Sequence, residues 1–367
     1  MFEQIENMLR IAQEKTASDL HLNINRPPII RIDGKLQKLN DYPKLEDKDI
    51  RSILDEVASP EQVDKFLKHH ELDFSYDNPQ IGRFRVNACL QKGSISLAFR
   101  LLMRVLSPLD SLGLSDVYTE LSLRPRGLIL VTGPTGSGKS TSMAAMINHI
   151  NNTAERHIIT IEDPIEYVHE DNKSIIIQRS VGEDTESFAT ALRQTLRHDP
   201  DVIVVGEMRD LATIAIAISA AETGHLVLGT LHTIDACETI DRVVEVFPSD
   251  QQAQIRLQLS QVLVGVLSQT LVRRIGGGRV PACEIMICNN AVKNLIREGQ
   301  IHQLHSNIQL GQKEGMRTLN QSLATLVTQN IVSLEDAERH CSNVAQFKQS
   351  MKYAETVAPA PVAASYQ

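Results

Sequence analysis

Gly133-Pro134-Thr135-Gly136-Ser137-Gly138-Lys139-Ser140 carries both glycines and the Lys-Ser pair at the spacing of a phosphate-binding P-loop. The apolar run Leu128-Ile129-Leu130-Val131 reads as a buried strand entering the loop. Thr141 to Ile150 reads as the helix leaving it, with Met143, Met146, Ile147 and Ile150 on one side. A Gly-Ser turn that matched the pattern by chance would lack this strand and helix. The physics is anion binding: glycines let backbone N–H groups turn toward phosphate oxygens, and the positive end of the helix dipole stands behind them. Lys139 is expected to reach the β- and γ-phosphates of ATP, and the Ser140 hydroxyl to hold Mg²⁺, with Thr141 closing the cradle.

The 367 residues allow about two domains at ~150 residues each. Hydrophobic residues make up 42%, enough for a packed core. The net charge of −8 argues against nucleic acid as the main partner, because phosphate neutralisation needs a basic face. There is no Trp, and few aromatics remain for base stacking. The cysteines (Cys89, Cys237, Cys283, Cys288 and Cys341) are odd in number and form no CxxC pair, so neither a disulfide framework nor a zinc site is expected. Met1 to Arg10 carries Glu3 and Glu6 and lacks the apolar core of a signal peptide. No stretch approaches the ~20 apolar residues of a membrane span. A cytoplasmic location without direct membrane insertion is expected.

Along the chain, residues 1–105 alternate in the manner of an antiparallel sheet with a few helices, a small α+β domain. Residues 106–116, around Ser107-Pro108-Leu109, read as a linker. From 117 to 289 strands alternate with helices, which makes the fold class α/β with a mostly parallel sheet. Within it, Ser249 or Asp250 is expected to start a helix reaching about Val272. Residues 290–353 read as a C-terminal helical subdomain, and the Ala/Pro/Val-rich 354–367 as a disordered tail.

ATP hydrolysis needs more than a phosphate cradle: a carboxylate must orient water, and a cation must meet the developing charge. Glu162, Asp163 and Glu166 follow one buried strand, and Glu207 follows Val202-Ile203-Val204-Val205-Gly206 at another. Strand ends are where α/β proteins place ligands. A solvated surface charge is the alternative for any one of them.

Taken together these segments resemble the secretion ATPases of the type II secretion and type IV pilus superfamily, within the RecA-like P-loop proteins. Gly133–Thr141 resembles the Walker A motif, and Thr160-Ile161-Glu162-Asp163-Pro164-Ile165-Glu166-Tyr167 the Asp box. Asp199-Pro200-Asp201 through Gly206-Glu207-Met208-Arg209-Asp210 resembles the Walker B motif. Thr223-Gly224-His225-Leu226 through Thr230-Leu231-His232-Thr233 resembles the His box. Ser18-Asp19-Leu20-His21-Leu22 and Gly82-Arg83-Phe84-Arg85-Val86-Asn87 match the family's N-terminal domain. Ala291 to Glu298 resembles a C-terminal motif of the pilus-retraction branch, with Lys293 where that branch usually has Arg.

The resemblance implies an N-terminal PAS-like domain, a RecA-like ATPase core and a homohexameric ring. It implies Glu166 as catalytic carboxylate supported by Glu162, and Glu207 as organiser of Mg²⁺ and water. It implies Arg83 and Arg100 as phosphate-reaching arginines, with Arg85 a weaker third, and His225 and His232 as phosphate sensors. It further implies an inner-membrane platform partner (PilC-like) and a PilU-like paralogous ATPase. Alternatives left open are an accessory retraction ATPase, an assembly or secretion ATPase, and a nucleotide-binding regulatory subunit of a partner motor.

Overall fold

The computed structural model describes residues 2–32, 34–102 and 108–357. The chain divides into two compact units, Met1–Val105 with Glu166–Val168, and Leu106–Ile165 with His169–Gln367.

The first unit runs α1 (Phe2–Glu14), β1 (Asp19–Leu22), β2 (Ile29–Ile32), β3 (Lys35–Lys38), α2 (Asp47–Val57), α3 (Pro60–His69), β4 (Glu71–Asn78), β5 (Gly82–Gln91) and β6 (Ser94–Leu101). Ser59 and Gln62 form a capping box at the start of α3, and Pro60 occupies the first helical position, where its missing N–H costs nothing. Among the described residues the strands form one sheet in the order β3-β2-β1-β6-β5-β4, every pair antiparallel. Alternation decides the faces: Ile95, Leu97 and Phe99 of β6 and Phe84, Val86 and Ala88 of β5 point inward. They meet Ile5, Met8 and Leu9 of α1 and Ile50 and Leu54 of α2 in a common core.

The second unit continues with α4 (Asp116–Ser122), β7 (Gly127–Thr132), α5 (Lys139–Thr153), β8 (His157–Glu162), β9 (Ile175–Ser180), α6 (Phe188–Thr195), β10 (Val202–Val205), α7 (Leu211–Glu222), β11 (Leu226–Leu231) and α8 (Ala236–Glu245). Then come α9 (Gln252–Val262), β12 (Leu263–Arg273), β13 (Arg279–Ile287), α10 (Asn290–Arg297), α11 (Leu304–Leu310), α12 (Leu319–Thr328), α13 (Leu334–His340) and α14 (Val344–Val357). The sheet order is β13-β12-β7-β11-β10-β8-β9, parallel except for the β12–β13 hairpin. Strands β7, β10 and β11 are buried along their whole length, as parallel strands covered on both faces must be. One face packs on α4 and α5, the other on α6 to α11. Helices α12, α13 and α14 close a separate small core over the hairpin.

Three expectations change. The long helix to Val272 ends at Val262, and Leu263–Arg273 is strand β12. A strand buried on both faces is a continuous apolar run, which periodicity alone cannot separate from a buried helix. Pairing with β7 and β13 decides the matter, and it needs Gly265, where a Cβ would lie 2.9 Å from the Met286 carbonyl oxygen. In the expected linker, Leu109–Leu112 forms a 3₁₀ turn with Leu109 buried, and α4 begins at Asp116; residues 106 and 107 lie outside the described residues. The expected disordered tail starts too early: residues 354–357 belong to α14, where Ala354 packs on the α12–α14 core, and residues 358–367 lie outside the described residues. Strand β9 went unread because its outer edge is solvent-facing, with Ile175 and Ile177 exposed.

Phe347 of α14 is fully buried at the centre of the α12–α14 core. Phe347→Ala is expected to cost ~3–5 kcal/mol of unfolding free energy, read by denaturant unfolding with hydrogen exchange over α12 and α14. A loss below ~1 kcal/mol would show that α14 does not hold this layer together.

Candidate functional site

Strand β7 delivers the chain to Gly133, and α5 takes over at Lys139. Between them Gly133, Gly136 and Gly138 have φ of 144°, 79° and 90°, values that side-chain-bearing residues rarely adopt. A Cβ on Gly133 would lie 2.2 Å from the Gln269 carbonyl oxygen and 2.6 Å from Ser137 Oγ. Gln269 of β12 is the brace beneath the loop. Its Nε2 donates to the Ser137 carbonyl at 2.8 Å, and its Oε1 accepts from the Tyr118 hydroxyl at 3.4 Å.

Gly138 caps α5 without a side chain, and the first amide bonded back into the helix is Ser142 N, to Gly138 O at 3.0 Å. The amides of Lys139, Ser140 and Thr141 precede the first intrahelical bond and form the positive start of the helix. The Lys139 ammonium folds back on the loop, donating to Gly133 O at 2.7 Å and Pro134 O at 3.2 Å. Ser137 Oγ is buried with no hydrogen-bond partner, while Pro134, Thr135, Gly136 and Ser140 are exposed. Helix-start amides, an ammonium and the unsatisfied Ser137 hydroxyl around a glycine cradle fit a polyphosphate. The Ser140 hydroxyl at the mouth suits a phosphate-bound magnesium ion.

The register of the sheet brings the acidic groups to the same edge. Leu231 pairs with Thr132, so His232 follows β11 at the level where Gly133 follows β7. Val205 pairs with both Ile161 and Gly229, so Glu162 and Glu207 leave their strands side by side. Gly206 permits this, since a Cβ there would sit 3.0 Å from the Ile161 carbonyl oxygen. Glu207 Oε1 is shared by His232 Nε2 at 3.0 Å and by Arg209 Nε. Glu207 is mostly buried, its side chain 19% exposed, whereas Arg209 is open at 75%. Glu162 is more constrained: its Oε1 accepts from Thr160 Oγ1 at 2.6 Å and Gln178 Nε2 at 3.2 Å. Glu166 is exposed and is grouped with the first unit.

His225 does not join them. It precedes β11, beside the start of β7, at the opposite edge of the sheet. Six strand residues at ~3.3 Å each put it ~20 Å from the P-loop edge. Its Nδ1 instead meets Ala220 O at 2.9 Å and the Thr223 hydroxyl at 3.2 Å, tying off the end of α7.

The arginines lie in the first unit. Arg100 donates to Asp19 Oδ1 at 2.9 Å with its side chain 63% exposed. Arg85 pairs with Asp73 at 3.5 Å. Both line a polar hollow of about 280 Å³ with Asn87 and Ala98. Arg83 sits half-buried on β5 opposite Asp77.

Residue reasoning missed Gln269 and Arg209. The polar interruption Ser268-Gln269-Thr270 between Leu267 and Leu271 is the one signal that pointed to Gln269.

A direct check on the loop is Gly133→Ala. The methyl has nowhere to go, so nucleotide affinity is expected to fall ~100-fold or more while the rest of the sheet keeps its amide protection. Wild-type affinity in this variant, measured by titration, would remove the loop's role.

Comparison with known proteins agrees with this geometry. The chain is 49% identical to the type IV pilus retraction ATPase PilT of Pseudomonas aeruginosa over 333 residues, 91% of this chain and 96% of that one. It is 46% identical to a twitching motility protein of Neisseria gonorrhoeae, covering 86% and 84%. Against the type IV pilus ATPase PilU of P. aeruginosa the identity is 37%, covering 95% and 91%. Among solved structures, the pilus retraction motor PilT with bound ADP superposes with a TM-score of 0.88 at 49% identity, covering 93% of this chain and 99% of that one. The Legionella pneumophila ATPase DotB gives a TM-score of 0.80 at 28% identity, covering 91% and 94%. A family model described as type II/IV secretion system protein matches residues 2–339, and the chain belongs to that family.

Proposed function

We propose that this chain hydrolyses ATP and uses the cleavage to retract a type IV pilus. The observation that carries the reading is the shared sheet edge: an open P-loop beside a buried carboxylate, Glu207, already held by a histidine and an arginine. The 49% identity to PilT across nearly both chains, against 37% to PilU, favours a retraction motor over an accessory subunit.

In this reading, Lys139 exchanges the Gly133 and Pro134 carbonyls for phosphate oxygens. The amides at the start of α5 and the helix dipole behind them meet the remaining charge. Glu207 orients the attacking water, and its two partners, Arg209 and His232, keep the carboxylate aimed. His232, bonded to Glu207, reports whether the terminal phosphate is present. The Ser140 hydroxyl and Glu207 would hold a magnesium ion, which would neutralise charge on the phosphates. Glu166 is proposed as the carboxylate that activates water, with Glu162 fixing the turn before it. Arg100, 63% exposed and paired with the Asp19 carboxylate, is offered to an anion more openly than Arg85 at 40%. A homohexamer working on a PilC-like platform protein, beside a PilU-like paralogue at the cytoplasmic face of the inner membrane, is the proposed setting. Among the described residues no helix is long and apolar enough to cross a membrane.

Lys139→Ala is expected to lower kcat/KM for ATP ~100-fold or more. Glu207→Gln should lower kcat to a similar extent while nucleotide affinity stays within ~3-fold. Unchanged turnover in the Glu207 variant would refute its role. Cells lacking the chain are expected to be hyperpiliated and unable to twitch, and bald cells would assign the motor to assembly instead.

A further inference from the structure

Glu284 is a carboxyl group inside the sheet, 5% exposed, that the proposed chemistry does not use. On β13 it pairs with Ser268 of β12, and Ser268 Oγ in turn accepts from Thr132 Oγ1 at 2.8 Å, one residue before the P-loop. Glu284 Oε1 accepts from Ala236 N at 2.9 Å, and the Leu319 backbone amide lies close enough to the carboxyl to favour its charge. Those two amides are the first of α8 and of α12. Each helix has a capping side chain, Asp235 and Thr318, but each cap is spent on a later amide, Glu238 N and Gln321 N. Glu284 thus supplies what two helix starts lack. The same two helix dipoles favour its negative charge. Burial and the nearby Asp235 carboxylate oppose that charge and push the carboxyl up to about 7. A buried acid this costly to ionise calls for a reason to be there.

The reason lies at the other end of α8's entry loop. His232 reaches Glu207 at 3.0 Å, and only Thr233, Ile234 and Asp235 separate it from Ala236. The loop is closed on itself by the Thr233–Thr239 hydroxyl pair at 2.7 Å and by Thr239 Oγ1 on Asp235 O at 2.6 Å. Its outer side is held by one further bond of the same kind, Ile234 N donating to Glu238 Oε2 at 2.9 Å, while the Ile234 side chain stays 65% exposed. The loop therefore moves with α8's first turn, and Glu284 holds that turn to the strand layer that carries the P-loop.

We propose that Glu284 is a positioning residue for turnover, which sets His232 against Glu207 by holding the first amide of α8, and that it ties this setting to the first amide of α12. Glu284 is 5% exposed and acts through the His232 loop. This inference rests on the ATPase reading above.

The test uses the full chain with Glu284→Gln, which keeps the volume and one acceptor oxygen. Expected are a kcat ~10-fold lower, a KM for ATP within ~2-fold, and less than ~2-fold further loss when the change is made in a His232→Ala background. Without nucleotide, exchange of the amides over 233–239 and at 319 should rise ~10-fold. Equal factors in both backgrounds, or a raised KM with kcat kept, would overturn the assignment. If Glu284→Gln does not fold, Glu284→Asp, which withdraws the carboxyl by one methylene, is read in the same way. Wild-type chain that splits no ATP would sink the ATPase reading, whereas wild-type exchange rates over 233–239 in the variant would sink this inference alone.

Discussion

A phosphate-binding loop must leave backbone donors uncovered at the end of a buried strand, and that need organises the second unit. The strand before the loop is buried along its whole length, so the loop emerges at a fixed height. Gly133, Gly136 and Gly138 take left-handed or otherwise forbidden φ values so that the chain can curl without side chains in the cradle. The underside of such a loop is a cavity in waiting, and Gln269 fills it with an amide that has a partner at each end. Strand β12 has to lie beside β7 for this to happen, which fixes the hairpin and everything C-terminal to it.

The same edge gathers charge in a particular order. Glu207 is a mostly buried carboxylate with two neighbours of different kinds, an exposed arginine and the histidine that follows β11. Glu162 is already bonded to Thr160 and Gln178 and serves the shape of the turn. The two histidines of one motif part company because a strand lies between them. A six-residue strand carries His232 to the loop edge and leaves His225 closing a helix. Sequence proximity within a motif is therefore a poor guide when the motif spans a strand.

Much of this was legible before any coordinates. The P-loop, its strand and its helix declare themselves by spacing, and Glu207 by its place after a buried apolar run. The small antiparallel sheet of the first unit is legible because its strands alternate. Strand β12 was not legible, because it opens on the continuous apolar run Leu263–Leu267, straight after a helix, and only its neighbours distinguish strand from helix there. Gln269 and Glu284 were hidden for a related reason: a buried polar residue announces itself only through partners distant in sequence, here Ser137 and Ala236. The last helix turn was masked by the Ala/Pro/Val composition that follows it.

Gripping a triphosphate is the first step of any motor of this kind, and it is measurable apart from movement. Calorimetric titration of the purified chain with a non-hydrolysable ATP analogue and magnesium addresses it most directly. The account predicts saturable binding of one nucleotide per chain with a Kd of about 1 μM to 1 mM, the range in which enzymes commonly hold substrates, and its loss in Lys139→Ala. Absence of saturable binding in the wild-type chain would contradict it.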